Sequence, residues 1–63
     1  MEGKVKWFND TKGFGFIQGD DGNDYFVHLT QLPRDTEVKE NDRVSFDPVR
    51  TEKGQQAQNV ALI

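Results

Sequence analysis

A small all-β barrel is the fold class that this sequence predicts, on three observations. Clusters of glycine with Asp or Asn cut the 63 residues into pieces of about six to nine, the spacing of short strands and tight turns. Polar and apolar residues alternate with period two inside several of these pieces, while no stretch holds a 3.6-residue apolar period over three turns. Five short strands in so short a chain pack poorly as two sheets, whereas closure into a barrel removes exposed edges. One domain spanning residues 1–63 is expected.

The elements follow in order. Residues 2–9 contain Lys4-Val5-Lys6-Trp7, which alternates as a half-buried strand does. Asn9-Asp10-Thr11-Lys12-Gly13 then supplies turn chemistry, with Gly13 free to take positive φ. Residues 14–19 form a second strand. Asp20-Asp21-Gly22-Asn23 is a hairpin signal, because Asp-Gly supplies the positive φ values of a primed turn. Residues 24–29 are a third strand, rich in β-formers. From 30 to 42 the alternation fails: Pro33 and six charged residues predict a polar connection with one helical turn. Residues 43–50 alternate again, with Val44 and Phe46 on one face. Pro48 cannot donate a ladder hydrogen bond, which places it at an edge or a bulge. Thr51-Glu52-Lys53-Gly54 reads as a turn and residues 55–62 as the fifth strand.

Composition narrows the function. Only 33% of residues are hydrophobic and there is no cysteine, so the small core has no disulfide to support it. A Cys-based metal site is excluded, and His28 alone builds no zinc site; no metal and no cofactor are expected. The longest apolar run, Val60-Ala61-Leu62-Ile63, falls far short of a membrane span, and no basic segment precedes an apolar one as in a secretory leader. A cytoplasmic protein without a membrane partner is expected. The net charge of −3 by itself argues against a nucleic-acid partner. Yet every aromatic residue except Phe46 falls between residues 7 and 26.

Strand geometry says where those rings point. Residues two apart share a face, so Phe14 and Phe16 point opposite to Ile17, and Phe26 and His28 point opposite to Tyr25 and Val27. Taken singly, each phenylalanine reads as core. Placing Phe14 and Phe16 inside, however, would turn Ile17 and Val27 outward and bury His28. The consistent arrangement puts Phe14, Phe16, Phe26 and His28 on the outer face. Lys6 and Phe8 share a face of the first strand, and Trp7 reaches the same patch if that strand bends. An apolar row of this kind is not exposed without a use. Flat rings along a sheet suit unstacked bases, each stack being worth about 1–3 kcal/mol. The charges divide accordingly. Lys4, Lys6 and Lys12 lie on or beside the aromatic strands, while much of the acid lies in turns and in the long connection.

At this point the residues resemble a known family. Lys12-Gly13-Phe14-Gly15-Phe16-Ile17 resembles the RNP1 motif, and Tyr25-Phe26-Val27-His28-Leu29 the RNP2 motif, of bacterial cold-shock proteins. Gly3-Lys4-Val5-Lys6-Trp7-Phe8-Asn9 and the segment from Gly54 to Val60 are similar too, so the likeness spans nearly the whole chain. An RRM shares the RNP1-like string, but Gly19 fails its last aromatic position and the helices are missing. The resemblance implies a five-stranded antiparallel OB-type barrel that binds single-stranded RNA or DNA and acts as an RNA chaperone. Carried over by position, Lys6, Trp7, Lys12, Phe14, Phe16, Phe26 and His28 are binding residues, with Phe8 and Asp24 contributing and Lys53 and Gln56 approaching the ligand.

Three departures from the family pattern stand out. Leu29 occupies a position where many members carry an aromatic. The 30–42 connection has no aromatic residue and is about two residues shorter than in relatives. Tyr25 replaces a smaller inward residue, so its hydroxyl must reach the barrel end or water. Lower affinity or a shorter footprint is expected. The alternative reading is an SH3-like interaction barrel whose aromatic groove takes a peptide. Catalysis is not expected, since there is one imidazole, one serine (Ser45) with no adjacent base, and aspartates that read as turn residues. A monomer without a small-molecule substrate completes the expectation.

Overall fold

The computed structural model describes residues 1–33 and 38–63. Strands β1 (Glu2–Asn9), β2 (Phe14–Gly19), β3 (Asp24–His28), β4 (Arg43–Thr51) and β5 (Gly54–Leu62) are joined by turns and by one 3-10 turn over Leu29–Gln31. They close into a barrel in the order β1-β2-β3-β5-β4. Residues 34–37, part of the connection expected to be polar and short, lie outside the described residues.

Strand direction follows from closure. Four neighbouring pairs are antiparallel, but β3 and β5 run parallel, in register at Phe26 and Gln56. Closure requires this: a ring with an odd number of strands cannot alternate direction all the way round. The five-stranded antiparallel OB-type barrel expected from the sequence is the fold observed, with this one parallel junction closing it.

In β2, β3 and β4 the inward positions are those the alternation predicts. Val5, Ile17, Val27, Val44 and Phe46 are buried in the core, with Ala57 and Val60 closing it from β5. Ile17 and Val44 are completely enclosed. Pro48 follows an irregularity in the β4–β5 register between Ser45 and Asp47, and Asn59 supplies the positive φ of 52° on the facing strand. The proline thus sits beside a bulge, as its missing N–H demands.

The hairpin between β2 and β3 differs from the expected primed turn. Gly22 alone takes positive φ there, at 87°. Asp21 instead uses its carboxylate, accepting from the Asn23 backbone N–H at 3.1 Å and from the Tyr25 hydroxyl at 2.6 Å. The inward Tyr25 is therefore satisfied at the barrel end. That hydroxyl, and then the Asn23 N–H, hold the Asp21 carboxyl below its ordinary value. Such a group stabilises the fold above the unfolded carboxylate pKa of about 3.9, and the contribution disappears as pH falls through the lowered folded value. Tyr25→Phe is expected to lower the thermal midpoint at neutral pH, with the difference from the parent shrinking in acid. A difference that stays constant down to pH about 2, read by circular dichroism, would show that the hydroxyl does not act through Asp21.

Candidate nucleic-acid interface

The outer face is built by β1, β2 and β3, and its construction begins with a bulge. Val5 faces Ile17 and Trp7 faces Phe16, so the register shifts by one residue at Lys6. Two consecutive residues, Lys6 and Trp7, therefore both lie on the outside. Strict alternation would give Lys6 and Phe8 one face and Trp7 the other. The bend reverses this: Trp7 joins the outer rings with 42% of its surface exposed, and Phe8 turns inward, half-buried against the core. Phe8 is thus the expected site residue that the structure separates from the others. β-bulges commonly re-aim side chains in this way.

Four rings then form a closed circuit. Trp7 meets Phe14 edge-on at a centroid distance of 5.8 Å and Phe16 at 5.5 Å. Phe14 lies stacked on Phe26 at 5.7 Å, and Phe26 meets Phe16 edge-on at 5.8 Å. These separations fall in the range where aromatic pairs attract beyond simple area burial. Gly15, between the two phenylalanines of β2, keeps the inner side of the strand low enough for β1 to approach. A Cβ built there would stand 2.3 Å from the Trp7 carbonyl oxygen.

Polar groups border the rings. The Lys6 ammonium reaches over β2 to the Asp24 carboxylate at 3.1 Å, both side chains being nearly half exposed. Lys12 is exposed in the β1–β2 turn, where its backbone N–H donates to Asn9 Oδ1 at 2.9 Å. His28 is exposed opposite Phe14 on the neighbouring strand. Lys53 and Gln56 come from the far hairpin. Together with Phe16, Asp24, Phe26 and Gln55 they line a groove of about 320 Å³ beside the ring circuit. Trp7, Phe14, Phe16 and Phe26, with Lys6, Asp24, Lys53 and Gln56, therefore converge on one region.

Sequence reasoning missed two participants. Gln55 lines the groove beside Gln56, and nothing in its local pattern distinguishes it. Thr30 holds His28: its backbone N–H donates to His28 Nδ1 at 3.2 Å and its hydroxyl lies 3.0 Å from the same atom. The signal was a His-x-Thr spacing at the start of a turn, a side-chain cap of the kind that Asx residues usually make. The aspartates of the β2–β3 region also do more than turn the chain. Asp20 pairs with Arg43 at 2.9 Å, which ties the hairpin to β4.

A closed five-stranded barrel with a lysine-bordered aromatic face defines the OB-type class of nucleic-acid-binding proteins. Residues 1–63 match the family model described as "'Cold-shock' DNA-binding domain". The chain is 48% identical to "Cold shock-like protein CspC" of Bacillus cereus over the full length of both. It is 50% identical to "Cold shock protein CspD" of Bacillus subtilis, covering all of this chain and 98% of that one. Among solved structures, "drosophila Unr CSD456" superposes with a TM-score of 0.83 at 25% identity, over 98% of this chain and 26% of that longer one. The chain belongs to the cold-shock domain family, whose members are nucleic-acid-binding RNA chaperones. The SH3-like peptide-binding reading is not favoured.

Proposed function

We propose that the protein binds unpaired RNA or DNA with little sequence preference, by stacking bases on Trp7, Phe14, Phe16 and Phe26 while Lys6, Lys12 and Lys53 meet the phosphates. Asp24, His28 and Gln56 contact the bases or backbone at the border, and Phe8 supports the platform from beneath. The observation that carries this reading is the ring circuit. Four aromatic side chains that would serve as core in another small barrel here touch one another on the outside. A protein that binds only the open strand unfolds RNA hairpins by mass action, which makes it a chaperone without an energy source. The closed barrel uses its sheet edges internally and supports a monomer acting as one domain. Family membership supports a cytoplasmic site of action without catalysis.

The test is a titration of Trp7 fluorescence with short oligothymidine at several salt concentrations. Three lysines imply that log K falls with log salt with a slope of about −2, taking about 0.7 per phosphate on a single strand. A slope steeper than about −5 would mean that charge, not stacking, dominates. Quenching by proline-rich peptide but not by oligonucleotide would overturn the reading.

Leu29 is 51% exposed beside Gly13 at the end of β3, next to the face that His28 borders. It offers apolar contact but no ring. Leu29→Phe is therefore expected to tighten oligothymidine binding by about 1 kcal/mol, one weak stack. Unchanged affinity in the same titration would show that the platform ends before this position.

A further inference from the structure

The exposed His28 is held in a defined chemical state by two groups of Thr30. A backbone N–H can only donate. The Thr30 N–H points at His28 Nδ1 from 3.2 Å, so Nδ1 must offer its lone pair. Thr30 Oγ1, 3.0 Å from the same nitrogen, is a second contact that holds the ring. A neutral imidazole carries one proton, and with Nδ1 accepting, that proton resides on Nε2. The ring is also fixed in space, because His28 caps the 3-10 turn Leu29–Gln31 through this contact. The next strand places His28 opposite Phe14, so the imidazole borders the ring circuit.

We propose that Thr30 is a positioning residue that locks neutral His28 as the Nε2–H tautomer, so that the aromatic face presents a fixed hydrogen-bond donor at its Phe14 edge. The ligand group recognised there is an acceptor: a base carbonyl or a phosphate oxygen. The rings are indifferent to base identity, whereas this position discriminates by chemistry. At the other end of β3, Asp24 is the opposite kind of group, a carboxylate that only accepts.

The proposal rests on the single-strand reading for its ligand, but the tautomer does not. Nitrogen-resolved NMR of the free protein in mildly alkaline solution reads the tautomer directly. One dominant Nε2–H form is expected. A mixture, or a dominant Nδ1–H form, overturns the lock.

Thr30→Val removes the hydroxyl at similar volume. With the backbone N–H still facing Nδ1, the Nε2–H form is expected to persist, while the loosened ring weakens oligothymidine binding by about threefold to tenfold, the worth of one hydrogen bond; Thr30→Ser is expected to restore binding. Two altered ligands separate the acceptor's source. A Thr30→Val penalty that vanishes on an oligomer of difluorotoluene nucleotides, which stack without carbonyls, assigns the acceptor to the base. One that vanishes only on a methylphosphonate backbone assigns it to phosphate. A penalty that survives both ligands, or that serine does not relieve, overturns the donor role. If the parent protein binds no oligonucleotide while the single tautomer is observed, the single-strand reading has failed and the lock has not.

Discussion

Phe26→Ala is expected to weaken oligothymidine binding by about 2 kcal/mol, roughly thirtyfold, while leaving the far-ultraviolet circular dichroism spectrum unchanged. Phe26 is the ring with most at stake. It stacks on Phe14 and meets Phe16 edge-on, and its backbone pairs with Gln56 at the parallel junction, beside the groove. Removing it deletes one stacking surface and releases its two neighbours from a common orientation. Phe14→Ala and Phe16→Ala are expected to lose about 1–3 kcal/mol each, but their losses will not add to that of Phe26, because the three rings share contacts. If the alanine variants unfold while their folded fraction binds at parental affinity, the rings belong to the core and the platform is not the binding face.

Gly15→Ala is expected to destabilise the fold by about 3 kcal/mol, the upper range for forcing extra volume into a packed site. The added methyl would lie 2.3 Å from the Trp7 carbonyl oxygen and 2.8 Å from the Phe8 Cα, both backbone atoms of β1. Neither can swing aside as a flexible side chain would. Relief requires β1 to move off β2 at the bulge that positions Trp7. A domain this small has little stability in reserve, so a large unfolded fraction at room temperature is anticipated. Urea denaturation monitored by circular dichroism checks this. A midpoint within experimental error of the parent would mean that the β1–β2 contact is softer than its geometry indicates.

Much of this architecture was legible in residue order. Turn chemistry at Gly13, Gly22 and Gly54 marks the strand ends, and the alternation through Ile17, Tyr25 and Val27 fixes which side faces inward. What escaped depends on register and closure. A bulge leaves no local signature in Lys6-Trp7-Phe8, since one extra residue between paired positions is visible only when the partner strand is in place. That single residue decides that Trp7 joins the outer face and Phe8 does not. The parallel junction was accessible in principle, as a property of any odd ring of strands, but no residue encodes it. The Asp21–Tyr25 and Thr30–His28 contacts were hidden differently: each links residues two to four apart, in a loop geometry that composition does not specify.

The parallel junction has a consequence for how the molecule breathes. It joins the β1–β2–β3 meander to the β4–β5 hairpin, and it is in register at one residue pair. The groove straddles that line, with Phe16, Asp24 and Phe26 on one bank and Lys53, Gln55 and Gln56 on the other. A strand of RNA lying there, as proposed, would work as a suture. It closes the barrel where the backbone closes it least, and amide hydrogens on both banks should exchange more slowly once it is bound.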